Sequence, residues 1–141
     1  MIRKLLLLTL ALLALHGSCF AAGEEKLLEN YQKMCYKMVD IFDGGAVPTY
    51  ADLEPIFSDA LKAKFNSLRY GELVKAIADR YGTVTGMRFA LFERLEDTDR
   101  VAFLADFPKS PEPVLVGFIF DANGKLDTFV ISSKKAQPKG K

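Results

Sequence analysis

The chain has 141 residues, half of them hydrophobic, with 19 basic against 18 acidic side chains, one histidine, two cysteines and no tryptophan. A nearly neutral chain of this length has room for one hydrophobic core and gives no electrostatic reason to expect a nucleic-acid partner. So few histidines and cysteines also leave little for zinc or nucleophile chemistry.

Met1-Ile2-Arg3-Lys4 precedes an uninterrupted apolar run from Leu5 to Leu15, which leads into His16-Gly17-Ser18-Cys19-Phe20-Ala21-Ala22. A positive start, a short apolar centre and small residues at its end read as a secretory signal peptide over residues 1–21, with Cys19 and Ala21 in the small-residue positions. The run is shorter than the roughly 20 apolar residues that cross a bilayer. An exported, periplasmic or secreted product without a transmembrane span is therefore expected. The alternative makes Cys19 the lipid-bearing first residue of a lipoprotein, since Gly17 and Ser18 suit the positions before it, although His16 stands where that signal wants Leu. Cleavage after Ala21 removes His16 and Cys19, so the mature chain keeps Cys35 alone. It then has no intrachain disulfide, Ser-His-Asp triad, Cys-His pair or His/Cys zinc site, and no metal or cofactor is expected.

Residues 22–133 read as one α+β domain. Between Glu24 and Asp43 the apolar residues Leu27, Leu28, Tyr31, Met34, Cys35, Met38, Ile41 and Phe42 recur at three, four and seven, the pattern of an amphipathic helix closed by Gly44-Gly45. Tyr31, Cys35 and Met38 fall near the middle of its stripe, so Cys35 is expected to act as a small buried hydrophobe. Thr49 suits an N-cap, with Asp52 three residues on as in a capping box, and Pro55 predicts a break near Glu54. Ile56 to Phe65 resumes the helical spacing, with Ser58 as its available cap. A further helix covers about Leu68 to Tyr81, weakened by Gly71 and stopped by Gly82.

From Thr83 the apolar period becomes two. Strands are expected near Val84–Arg94, Arg100–Phe107, Val114–Asp121 and Lys125–Ser132, separated by Glu96-Asp97-Thr98-Asp99, a proline-rich loop at 108–113 and Ala122-Asn123-Gly124. They form a curved four-strand antiparallel meander under the helices. Pairing Met87 with Phe107 and Leu91 with Phe103, and Phe107 with Val114, collects Met87, Phe89, Leu91, Phe103, Ala105, Phe107, Val114, Val116, Phe118 and Phe120 on one face. The same register sets Arg88 opposite Asp106 as a cross-strand ion pair. On the second face Val84, Ala90, Phe92, Ala102, Leu104, Leu115 and Ile119 break the alternation of a wetted sheet, so a homodimer packed sheet to sheet is expected. Folding back of the terminal segment is the alternative. The last hairpin fits either a two-residue turn at Asn123-Gly124 or a wider one from Asp121 to Lys125. Lys134, Lys135, Lys139 and Lys141 form a basic, disordered tail over 134–141.

A long helix, a kinked helical pair, a helix ending at glycine and a meander closing with Phe120-Asp121-Ala122-Asn123-Gly124-Lys125-Leu126 together resemble the nuclear-transport-factor-2-like, cone-shaped α+β superfamily, and within it small exported bacterial domains of unknown function. The resemblance spans about Glu25 to Ser133. It implies a sheet curled around the first helix with a pocket at the open end, where some members are isomerases, dehydratases or epoxide hydrolases using Asp, Tyr, His or Arg, and others only bind ligands or partners. No catalytic motif of the superfamily maps onto these residues. Tyr31, Cys35 and Tyr70 are the candidate pocket residues, and Arg88 and Asp106 the candidate ion pair. The expected function is a non-catalytic, exported binding or accessory domain for an unknown small ligand or envelope protein. The alternative is a cofactor-independent isomerase or dehydratase using Asp, Tyr and Arg.

Overall fold

Helical spacing and strand spacing follow one another along the chain, and the elements form where each period holds. The computed structural model describes residues 22–44 and 46–133. The leader 1–21 with His16 and Cys19, Gly45 and the tail 134–141 lie outside the described residues. Contacts group the chain into two units, Met1–Asn30 and Tyr31–Lys141. In the first, the described residues are the opening turns of helix α1 (Ala22–Val39), with Glu24 and Glu25 where the helix dipole favours acidic side chains. The second holds the rest of α1, three shorter helices and the sheet.

Helix α1 tightens into a 3-10 turn at Asp40–Phe42 and leaves through Asp43 in an extended conformation. Gly44 does not take the left-handed conformation; among the described residues only Gly82 and Gly124 have positive φ. Helix α2 (Tyr50–Leu53) starts at a capping box in which Thr49 Oγ1 accepts from Asp52 N and Thr49 N donates to Asp52 Oδ2. Pro55 then limits the chain to a 3-10 turn, Glu54–Ile56. Ser58 caps α3 (Asp59–Lys64) by accepting from Leu61 N at 3.0 Å, and Asn66 caps α4 (Ser67–Arg80) by accepting from Arg69 N at 3.0 Å. Gly82, at φ +80°, closes α4, its N–H donating to Ala78 O.

Strands β1 (Gly86–Arg94), β2 (Asp99–Asp106), β3 (Val114–Phe120) and β4 (Leu126–Ser133) form one antiparallel meander in chain order, not closed into a barrel. The register differs from the expected one by two residues in each of the first two hairpins. Met87 pairs with Ala105 and Phe89 with Phe103, and Ala105, not Phe107, pairs with Val114. A shift of two preserves faces, so most of the inner face stands as expected.

A bulge between Phe89 and Leu91 is the exception: beyond it Leu91 pairs with Ala102 and Phe92 with Val101. The extra residue, Ala90, reverses every side chain after it, so Leu91 moves from the expected inner face to the outer one and Phe92 moves inward. The bulge sits on an edge strand, where it also breaks the regular row of unpaired peptide groups that would invite another strand. At the other edge, Phe57 bridges Leu126 and Ser58 N donates to Leu126 O at 2.8 Å. The last hairpin takes the wider turn, with Asp121 N donating to Lys125 O at 2.8 Å and Gly124 at φ +75°.

The core lies between the inner face and the helical segments. Val101, Phe103, Ala105, Val114, Val116, Phe118 and Phe120 are buried on the sheet side, and Tyr31, Cys35, Met38, Ile41, Phe42 and Leu53 on the helical side. Tyr31 stacks on Phe120 with ring centroids 4.2 Å apart, and Phe42 meets Phe107 edge-on at 5.5 Å. The segment Tyr31–Phe42 therefore crosses the sheet from the Asp99 end of β2 to its Phe107 end. A second aromatic group, Tyr50, Phe57, Phe65 and Tyr70, reaches the sheet through Phe129 on β4, 5.2 Å from Phe65.

The bulge gives neighbouring residues opposite fates. Phe92→Ala is expected to lower stability by about 2 kcal/mol, because it removes a partly buried ring from the Tyr31 contact, whereas Leu91→Ala costs under about 1 kcal/mol. Urea unfolding of the two variants measures the difference, and an uninterrupted strand would reverse the order.

Candidate functional site

Continuing the period of two backwards from Phe107, Ala105, Phe103 and Val101 lands on Asp99, which belongs to β2 and points inward with the core residues. It is the buried carboxylate of the described residues, 8% exposed. A carboxylate out of water needs partners, and it has them. Tyr31 Oη donates to Asp99 Oδ2 at 2.7 Å, and Arg94 Nε donates to Asp99 Oδ1 at 3.2 Å. Arg94 reaches it because the bulge puts Phe92 and Arg94 on the inner side of β1, and because Arg94 pairs directly with Asp99 across the hairpin. The half-exposed guanidinium keeps its outer side in water.

Both carboxylate oxygens are thus engaged by groups of this chain. The Tyr31 ring is held between Phe120 and Phe92, with its hydroxyl aimed at the carboxylate. Burial, and then the hydrogen bond to Asp99, push the Tyr31 ionisation well above the usual tyrosine range. The phenol is therefore a committed donor and a poor source of phenolate at neutral pH. On the solvent side of this cluster, the β1–β2 turn and the β3–β4 turn enclose a shallow depression of about 160 Å³ lined by Arg94, Leu95, Glu96, Asp97, Thr98, Asp99, Asp121 and Ala122. Asp121 spends Oδ1 on the N–H groups of Asn123 and Lys125, which holds its own turn together. Among the described residues no group of three or more His, Cys, Asp or Glu is arranged to hold a metal ion.

A second depression, of about 190 Å³, lies where α4 meets the loop between β2 and β3 and is lined by Arg80, Tyr81, Lys109, Ser110, Pro111, Glu112 and Ser133. Its basic groups are engaged: the Arg80 guanidinium lies 5.2 Å over the Tyr81 ring and Lys109 Nζ donates to Asp79 O.

Tyr31 and Cys35 lie one turn apart on α1, both buried, and Tyr70 lies in the aromatic group beside β4, its hydroxyl donating to Pro48 O. Neither depression is lined by any of the three. Burial pushes the Cys35 thiol up to about 12 and, together with the Asp52 charge, raises Tyr70. A thiol of that kind is unreactive at neutral pH. Arg88 Nη1 sits 2.9 Å from Asp106 Oδ2, but the pair is diagonal: Arg88 stands directly opposite Leu104, and Asp106 opposite Gly86. Both side chains are about half exposed, where such a pair contributes about 1 kcal/mol at most.

Asp99 and Arg94 are the site residues outside the expected set: Asp99 was expected in the turn but belongs to β2, and Arg94 ends β1 as expected but faces Asp99. The signal for Asp99 was available in its phase with Val101; the signal for Arg94 was hidden by the bulge. Comparison with protein-family models, with curated proteins and with solved structures finds no match for this chain.

The raised tyrosine sets an alkaline limit on stability. An unfolded tyrosine ionises near pH 10 while folded Tyr31 stays neutral, so its contribution is complete below about pH 10 and is lost as pH rises through the folded value. Urea midpoints measured from pH 8 to 11 are expected to fall from about pH 9, where an unfolded thiol ionises and buried Cys35 does not, and more steeply above about pH 10; Tyr31→Phe is expected to flatten part of the steeper fall, with Cys35, Tyr50 and Tyr70, shifted the same way, carrying the remainder.

Proposed function

We propose that this protein is an exported, non-catalytic binding or accessory domain of the cone-shaped class, working through the outer face of its sheet, and that a second copy of the chain occupies that face. The observation that carries the reading is the contrast between the two faces. Inside, Phe103, Phe118, Phe120 and the Tyr31–Asp99–Arg94 cluster fill the space on β2 and β3 and use the polar groups, with Phe89 on edge strand β1 left 47% exposed. Outside, Leu91, Leu115 and Val130 are 37%, 39% and 48% exposed, and Leu104 and Ile119 are half-buried beside them. A contiguous apolar patch on a four-strand face is the usual mark of a protein contact. Charges of both signs stand on β1 and β2, Arg88 with Asp106 and Arg100 with Glu93, so the face is electrically balanced against a copy of itself.

Export rests on the leader pattern of residues 1–21. Among the described residues no helix is long and apolar enough to cross a membrane. The second reading, a cofactor-independent isomerase or dehydratase, is favoured by the meeting of Tyr31, Asp99 and Arg94 beside a depression. It is opposed by the geometry there, since an acid or base must be within reach of substrate and both Asp99 oxygens are already occupied.

Sedimentation velocity of the protein spanning residues 22–141 at micromolar concentration tests the proposal. A dimer is expected, with Leu115→Lys leaving a folded monomer; a wild-type monomer across that range contradicts it.

A further inference from the structure

The ladder partners arrange the outer face as three rows across four strands. The middle row is Leu91, Ala102, Gly117 and Val130; above it stand Arg88, Leu104, Leu115 and Ser132, and below it Glu93, Arg100, Ile119 and Thr128. Large residues end the middle row and small ones fill its centre. A Cβ built on Gly117 meets nothing within 4 Å, while Ala102 beside it is buried by this chain, so the open part of the centre is at Gly117.

Sheets that pack face to face keep their strands within about 30° of alignment, and two copies of one chain most often associate through a twofold axis. Two such axes fit a rectangular face. An axis parallel to the strands sets Arg88 over Ser132, Glu93 over Thr128 and Arg100 over Ile119 of the second copy, so no charge meets its opposite. An axis perpendicular to the strands, running over the middle row, exchanges the upper and lower rows. It sets Arg88 of each copy over Glu93 of the other, Leu115 over Ile119, and Leu104 along the stem of Arg100. Each intrachain pair then joins its counterpart in a line of alternating sign, Asp106, Arg88, then Glu93 and Arg100 of the second copy. Leu91 and Val130 meet themselves at the two ends of the row, while the small residue Gly117 lets the sheets approach at the centre.

We infer that the protein recognises a second copy of itself through this perpendicular twofold, with Arg88 and Glu93 as the pair that fixes the orientation. The inference rests on the docking reading above and adds its geometry. Like charges facing one another across an interface cost affinity, and opposite ones restore it.

The test is a charge exchange in the protein spanning residues 22–141, read by sedimentation velocity and native mass spectrometry at low salt. Arg88→Glu and Glu93→Arg are each expected to raise the dimer dissociation constant by at least about tenfold. An equal mixture of the two variants is expected to recover wild-type affinity as a heterodimer, since both of its contacts then pair opposite charges. Arg88→Gln and Glu93→Gln serve beside them, with a smaller loss and a partial recovery on mixing, since their heterodimer regains one of the two Arg88–Glu93 pairs, and circular dichroism checks the fold of all four. A dimer broken by Leu115→Lys but indifferent to the charge exchange overturns this twofold and leaves the docking reading standing. A mixture that stays monomeric also overturns it, and a monomeric wild type overturns both.

Discussion

The hydrogen bond from Tyr31 to Asp99 ties the helical side of the Tyr31–Lys141 unit to its sheet through two buried side chains. Asp99 faces inward because it is in phase with Val101 and Phe103, and an inward carboxylate is tolerable only with donors beside it. Tyr31 supplies one from α1 and Arg94 another from β1. The Tyr31 ring lies flat on Phe120 and tilted to Phe92, so the bond also fixes where the Tyr31–Phe42 segment starts along the sheet. The remaining inner contacts along that segment, Tyr36 with Phe103 and Phe42 with Phe107, follow from where Tyr31 is anchored.

That anchoring has a chemical consequence. Tyr, Asp and Arg are the residue types from which a cofactor-free isomerase would be assembled, yet each is here directed at another of the three. Burial raises the phenol and the thiol of Cys35 away from neutrality, so the groups that would have to give or take protons are held in their neutral forms. On the other side of the sheet Leu91, Leu115 and Val130 stay exposed. Apolar side chains on the outer face, beside charges of both signs, are what the proposed docking of a second copy draws on.

The fold was legible in the sequence wherever one period ran without interruption. The stripe through Tyr31, Cys35 and Met38, the Thr49–Asp52 box, the Pro55 break and the Gly82 stop are local signals, and each fixes its element without long-range information. Faces were legible too, since a register error of two residues leaves inside and outside unchanged. The bulge was not: Ala90 looks like any small strand residue, and only the pairing of Leu91 with Ala102 shows that one position has been skipped. From that single miss follow the wrong faces for Leu91 and Phe92 and the failure to see Arg94 beside Asp99. Asp99 itself was hidden by turn chemistry, because an Asp after Glu96-Asp97-Thr98 reads as loop although its phase is that of the core.

The central claim is that Tyr31 and Asp99 are partners in structure, and a double-mutant cycle by urea unfolding measures it. Tyr31→Phe and Asp99→Ala each strand a buried partner, whereas the double variant strands neither at that bond. The account predicts that the double variant is less destabilised than the sum of the two singles by about 1–2 kcal/mol. Additivity within about 0.3 kcal/mol would contradict it.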